Sequence, residues 1–346
     1  MRNSNSVLHL IHSRRPETGG VCSAVELLNE ELVKQGVQSR ISDDPNALVK
    51  STDEWLIAHG LWQWPGRRAQ GSRNRYLVYP HGMLDPWFKK TYPLKHLKKQ
   101  LYWWVKQGSI LCDAAAVCFT TEEERLLAQK TFFPYRAKEV VTGLGVTTPP
   151  EQTVADTEKF HQKFLNLKDK KFLLYLGRFH PKKGVDDLIR AWKNRKKKED
   201  EVLVLAGPLE KENQWIKNLQ NLAKEDTSVV WTDMLKSDLK WSALRFADAM
   251  ILPSHQENYG MVVAEACSVG LPVYLTNKVN LWREVENAGA GTVESDTPKG
   301  IENLVNQWSV SDRDKLSMGA QKCFTERLHI SRTVENLIEV MEQPAT

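Results

Sequence analysis

The chain has 346 residues, 41% hydrophobic and 26% charged, with a net charge of +5. That length is too great for one ordinary core and points to two domains. The small net charge leaves no footprint for nucleic acid, and five scattered cysteines without a C-x-x-C pair argue against a disulfide framework or a structural zinc site.

In chain order, short apolar runs alternate with helical patterns. Ser6–His12 predicts a first strand, followed by the glycine-containing loop Ser13–Val21. The run Val7–Ile11 is strand-sized, too short for a secretory leader, and no stretch has the length of a spanning helix. A cytoplasmic protein, with membrane contact only peripheral, is the expectation. Cys22–Gln35 predicts an amphipathic helix with Val25, Leu28 and Leu32 on one face, stopped by Gly36. Gln38–Ile41, Glu54–His59 and Tyr76–Tyr79 are further strand candidates.

Leu94–Gln107 predicts another helix. Leu94, Leu97, Leu101, Trp104 and Val105 form one stripe, expected to pack on the first domain. Lys95, Lys99, Tyr102, Trp103 and Lys106 are then expected outside. With Lys89 and Lys90, they suggest that 89–106 meets an anionic membrane surface. Ala115–Thr120, the helix Glu122–Lys130 and Lys138–Val141 close the first half. Gly143–Glu151 carries two glycines and two prolines and reads as a linker. The expected domains are therefore 1–147 and 148–346, with the last helix able to cross back to the first.

The second half repeats the alternation. Strands are predicted at Phe172–Leu176, Val202–Leu205, Val229–Trp231, Ala249–Leu252 and Val273–Thr276. Helices are predicted at Val185–Lys193, Asn213–Lys224, Leu239–Ala247, Tyr259–Val269 and Leu281–Ala288, with a helical stretch over Ile301–Gln343. This spacing implies an α/β protein with parallel sheets covered on both faces.

Two stretches carry chemistry. In the first, Glu257 sits on a loop at the carboxyl end of a strand, where open α/β sheets place ligands. Glu265 lies about two turns into the next helix, so both carboxylates can face one crevice. Between them Asn258, Tyr259 and Gly260 offer N–H groups at a helix start, an anion seat. In the second stretch, YLGRFHPKKG, a strand end is followed by Arg178 and Lys183 before a helix N-terminus, a combination suited to a diphosphate.

The run PSHQENYGMVVAEACSVGLPV, Pro253–Val273, closely resembles the donor-binding motif of retaining glycosyltransferases of the GT-B fold, family four. The resemblance implies two Rossmann-like domains with parallel sheets facing a central cleft. The N-terminal domain would bind the acceptor and the C-terminal one the nucleotide sugar. It implies that Arg178 and Lys183 contact the donor diphosphate, that Glu265 holds the ribose hydroxyls and that Glu257 holds those of the sugar. Gly207, in VLAGPLE, would let backbone approach the nucleotide, and Leu235 would meet the base through its backbone. Relatives often carry Gly where this chain has Asp233, which leaves the base contacts open. In the N-terminal half, Gly19 and Gly20 match the family's first glycine-rich loop. In YPHGMLDPW, His81 matches its strand-end histidine and would position or polarise the acceptor side, and Asp85 would meet the acceptor.

The implied activity is retaining transfer of a hexosyl unit from a UDP- or GDP-linked sugar to a saccharide acceptor. The HGMLDPW stretch is similar to bacterial enzymes of surface-polysaccharide and lipopolysaccharide synthesis, which suggests a lipid-linked acceptor at the inner face of the plasma membrane. The resembled enzymes generally bind no catalytic metal, and neither a metal nor a cofactor is expected. The rival readings are a GT-B epimerase or phosphorylase, or a nucleotide-sugar binder without turnover. A dehydrogenase is disfavoured because no G-x-G-x-x-G follows the first strand.

Overall fold

A computed structural model of the chain describes residues 6–15, 20–210 and 212–343. The expected Gly19 lies outside the described residues. The chain divides into two compact units. One runs up to Thr147 and resumes at Leu328; the other is the continuous segment Thr148–Arg327.

The first unit is built on six parallel strands: β1 (Ser6–Leu10), β2 (Gln38–Ser42), β3 (Trp55–His59), β4 (Tyr76–Tyr79), β5 (Ala116–Phe119) and β6 (Glu139–Val141), in the order β2-β1-β3-β4-β5-β6. Apolar side chains alternate across the sheet, as strand geometry requires. Leu8, Leu10, Leu56 and Val78 pack with Trp103 and Ile110 on one face. Val7, Ile57 and Leu77 pack with Leu28 and Leu32 on the other, where the final helix Ile330–Glu342 adds Ile330, Val334 and Leu337. Five consecutive residues of β3 are buried, because both of its faces are covered.

The expected linker is packed over its first half. Leu144 and Val146 are buried, and the Val146 N–H donates to the Leu328 carbonyl at 2.9 Å. A Cβ on Gly145 would lie 2.5 Å from the Ile330 backbone, so only glycine lets the two segments run this close.

The helix predicted over 94–107 is present in two parts, an α-helix Pro93–Tyr102 and a π-helical turn Trp103–Gln107. The expected facing does not hold: the apolar stripe lies outside together with Lys95 and Lys106. Leu94, Leu97, Leu101, Trp104 and Val105 are between 53% and 81% exposed, while Trp103 is buried. Trp103 stacks on Phe132 at 4.8 Å, and its indole N–H donates to the Pro134 carbonyl at 2.7 Å. His96, which stacks on Phe132 at 4.7 Å, and Gln100, which donates to the Phe133 carbonyl at 2.6 Å, hold the same side of the segment.

The second unit carries β7 (Lys171–Leu176), β8 (Glu201–Ala206), β9 (Val229–Asp233), β10 (Ala249–Leu252), β11 (Val273–Thr276) and β12 (Gly291–Glu294), all parallel, in the order β12-β11-β10-β7-β8-β9. Read from the other edge, the order runs third, second, first, fourth, fifth, sixth strand of the unit, which is the doubly wound dinucleotide-fold order. Its topological switch point falls between β7 and β10, so the crevice opens outside the carboxyl ends of those two strands. The helix Val154–Lys163, opened by a capping box between Thr153 and Asp156, was not anticipated, and neither was the half-buried edge strand β12.

Candidate functional site

The loops after β7 and β10 flank the switch point and are laced together. After β7, the Tyr175 hydroxyl donates to the Arg178 carbonyl at 2.8 Å. The chain then makes a 3-10 turn, Pro181–Lys183, capped by His180, whose ring accepts from the Lys182 N–H. Gly184 follows with φ of +65° and opens the helix Val185–Asn194. A Cβ there would stand 2.2 Å from the Pro253 carbonyl oxygen, so the left-handed backbone and the close approach both demand glycine. Across the seam, the His255 N–H donates to the Lys182 carbonyl at 2.8 Å, and Lys182 Nζ donates to Gln256 Oε1 at 3.2 Å.

Glu257 and Lys183 form an ion pair across this seam, both largely buried. The sequence reading assigned them to different parts of the donor, and here they face one another. Burial, then the neighbouring charges of Lys182 and Arg178, pushes the Lys183 ammonium down to about 7. Backbone bonds fix Glu257 as well: its N–H donates to the Lys278 carbonyl at 2.9 Å, and its own carbonyl accepts from the Asn280 N–H at 3.0 Å. Arg178 is exposed, and its charge is felt at both Lys183 and His180.

Gly260 is the N-cap of the helix Met261–Ser268, with φ of +77° and no side-chain cap. In the first turn the Val263 N–H donates back to the Gly260 carbonyl at 2.7 Å, which leaves the earlier N–H groups, Met261 and Val262, as the helix start that follows the Glu257 loop. Asn258 accepts from Asn280 Nδ2 at 3.4 Å. The Tyr259 side chain turns away into the core, towards Glu284, Cys267 and Cys323, and burial drives its phenol well up, so only its backbone is available to a ligand. Glu265 sits one helix face on, where Lys240 Nζ donates to it at 2.7 Å, a partner the sequence did not reveal.

Gly207 is held against the β7 loop. A Cβ on it would lie 2.0 Å from the Gly177 carbonyl oxygen. The Asp233 position adopts φ of +58°, the left-handed backbone that a glycine would supply. The aspartate keeps it by accepting from the Leu209 N–H at 3.0 Å and the Met234 N–H at 2.7 Å, and these bonds hold its carboxyl below the usual range. Leu235 follows, buried.

In the first unit, Gly20 opens the helix Gly20–Lys34 and is exposed. Asp85 is buried and accepts from the Trp87 N–H at 2.7 Å, which commits one carboxylate oxygen to starting the helix Trp87–Thr91. His81 follows β4 with φ of +50° and is half-buried; burial pushes its imidazole down to about 4. Two residues the sequence reading passed over, His59 and His9, lie behind it. Their signal was a polar residue inside a fully apolar strand, as in SVLHL and WLIAH.

Two doubly wound α/β units, the second with a cationic loop and a helix N-terminus at its switch point, define a protein of the GT-B type. Residues 156–322, within the second unit, match the family described as Glycosyl transferases group 1. The chain is 24% identical over 177 residues to an uncharacterized glycosyltransferase of Methanocaldococcus jannaschii, covering 50% of this chain and 45% of that protein. It is 28% identical over 169 residues to the capsular polysaccharide biosynthesis glycosyltransferase CapM of Staphylococcus aureus, covering 47% and 44%. These matches span under half the length of the relatives. Among solved structures, HepE of Anabaena, in complex with UDP and glucose, superposes with a TM-score of 0.72 at 15% identity over 98% of this chain and 99% of that one.

Proposed function

We propose that the protein is a retaining glycosyltransferase that moves a hexosyl unit from a nucleotide-diphosphate sugar to a saccharide acceptor. The observation that carries this reading is the buried Lys183–Glu257 pair at the switch point of the second unit, with Arg178 and the open helix start at Gly260 beside it. A diphosphate entering there meets two cations and a set of N–H groups, and the charge that grows on the leaving phosphate is met by donors already in place. Glu257, released from Lys183, is then free to take the sugar hydroxyls, and Glu265 the ribose hydroxyls. Retention follows from a leaving phosphate that takes the acceptor proton on the departing face. The UDP held by HepE favours a UDP-linked donor.

The acceptor is proposed to be lipid-linked, in surface-polysaccharide synthesis, as the name of CapM suggests. The exposed stripe Leu94, Leu97, Leu101, Trp104 and Val105 supports contact with an anionic membrane surface. Lys89, Lys90, Lys95, Lys98 and Lys106 surround it, and the sequence from Pro86 to Cys112 holds no acidic residue. Leucines at acyl depth with lysines at the headgroups are the arrangement of an interfacial helix. Among the described residues no helix is long and apolar enough to cross a membrane.

The test is release of nucleoside diphosphate from a panel of nucleotide sugars, with and without lipid-linked saccharides. Acceptor-dependent release with an α-linked product from an α-linked donor supports the reading. Tight donor binding without release under any acceptor would instead make this a binding protein, and product formed from the sugar alone would make it an epimerase.

A further inference from the structure

Three histidines from adjacent strand ends of the first unit form one hydrogen-bonded chain. His9 Nδ1 lies 2.9 Å from His59 Nε2, and His59 Nδ1 lies 3.0 Å from His81 Nε2. Successive rings stack with centroids 5.2 Å apart, and Tyr79 stacks beside His59 and His81. His9 and His59 are fully buried; His81, half-buried, is the solvent end. Among the described residues no three histidine, cysteine or carboxylate side chains converge to hold an ion.

Ring-to-ring bonds of this length require one proton in each bridge, because two bare nitrogens repel and two N–H groups clash. Burial drives all three imidazoles towards their neutral forms. Three neutral rings carry three protons. Two occupy the bridges, and the third sits at one end, on His9 Nε2 or His81 Nδ1. His9 Nε2 is buried and has no hydrogen-bond partner. A buried N–H without an acceptor is the costlier orphan, so the bare lone pair belongs on His9 and the proton on His81. All three rings are then Nδ1–H tautomers, each donating towards His81, whose own Nδ1–H is presented outward.

The surrounding backbone holds that end in place. His81 and Gly82 both have positive φ, 50° and 75°, and the Gly82 N–H donates to the buried carboxylate of Glu124 at 2.6 Å. That carboxylate also accepts from Thr120, N–H and hydroxyl. The other ionisable neighbour, Tyr79, stays neutral, because burial raises its phenol.

We propose that His59 and His9 are positioning residues that lock His81 as a neutral hydrogen-bond donor through Nδ1. Its task is then to donate to a substrate oxygen rather than to act as the base. This rests on the reading of His81 as an acceptor-side residue of a transferase, but the tautomer itself does not.

The experiment is a long-range 1H–15N spectrum of the full chain with labelled histidine, recorded from pH 8 to pH 5, using His81→Ala, His59→Phe and His9→Phe for assignment. The expected result is three Nδ1–H imidazoles that do not titrate in this range, against the protein's six other histidines. In His59→Phe, His81 should shift to a mixture rich in Nε2–H and begin to titrate, and kcat should fall roughly tenfold or more with KM little changed. If His59→Phe melts, His9→Phe tests the same point. Without the far donor, the His59 Nε2 takes up the proton and His81 loses its fixed tautomer. An Nε2–H form of His81 in the native protein, titration near the ordinary histidine value, or a His81 tautomer unmoved in a folded variant would overturn the proposal. Since the spectrum is read without substrate, a failure there is separate from a failure of nucleoside diphosphate release.

Discussion

Replacing Lys183 by methionine keeps the reach of the side chain and removes its charge, which isolates a linkage that the site creates. In the native protein the ammonium is pushed down to about 7. A bound diphosphate puts two fixed negative charges beside it and draws its value back towards the ordinary lysine range. The sign follows. The protonated form binds, so affinity is highest below pH 7 and falls as pH rises through the free-protein value. At pH 8 only about a tenth of the free protein carries the proton, so binding takes up roughly 0.9 proton. Affinity should then drop about fiftyfold between pH 7 and pH 9, or about 2.3 kcal/mol, with the slope approaching tenfold per pH unit above pH 8. The nucleotide sugar's diphosphate diester keeps its charge across neutral pH, so the uptake reports the protein. Calorimetry at pH 8 in buffers of different ionisation enthalpy measures it directly. Lys183→Met should bind more weakly with no uptake. Native protein that binds at pH 8 without taking up a proton would show that Lys183 is already charged, and the reasoning from burial would be wrong.

Other outcomes are as concrete. On the proposed reading of Glu265 as the ribose-binding carboxylate, Glu265→Ala removes charge-assisted hydrogen bonds of about 1.5–3 kcal/mol each. Donor affinity by calorimetry should fall at least about tenfold with little change in melting temperature, and unchanged binding removes Glu265 from the site. Gly184→Ala must place a Cβ 2.2 Å from the Pro253 carbonyl on a left-handed backbone, which alone costs about 1–2 kcal/mol. The urea midpoint should drop, and one at the native value would show that the seam between the loops is loose. On anionic liposomes at low salt the protein should sediment, each lysine adding roughly 1 kcal/mol. Leu97→Ser with Leu101→Ser and Trp104→Ser should abolish this, whereas equal binding to neutral vesicles would exclude a role for the lysines.

What could be read from the sequence was set by periodicity and by spacing. Buried parallel strands are continuous apolar runs between glycines and prolines, so β3, β7, β10 and β11 stood out. The edge strand β12 has no such run, since all four of its residues are only half-buried. The stripe through 94–105 was visible, but periodicity says that one side of a helix is apolar, never which side meets the core. That depended on Trp103 reaching Phe132 and Pro134, about thirty positions away. The cationic loop and the two glutamates were recognisable each in its own stretch. The pairing of Lys183 with Glu257, and of Lys240 with Glu265, joins residues 74 and 25 positions apart and depends on the fold. Asp233 looked like a departure from pattern. The structure gives the reason it is tolerated: its carboxylate caps two N–H groups and holds the backbone where glycine would go freely.

The return of the chain to the first unit at residue 328 sets an order of events during synthesis. Residues 148–327 are contiguous, so that unit has all its strands as soon as they leave the ribosome. The first unit does not. One face of its sheet is covered by Ile330, Val334, Leu337 and Met341, which are made some 190 residues after β6. Until then Val7, Ile57 and Leu77 lie under an incomplete layer, and the earliest-made half of the protein is the last to finish folding. A nonsense mutation just after Arg327 would therefore leave the second unit whole while stripping the cover from a sheet more than 180 residues upstream of it.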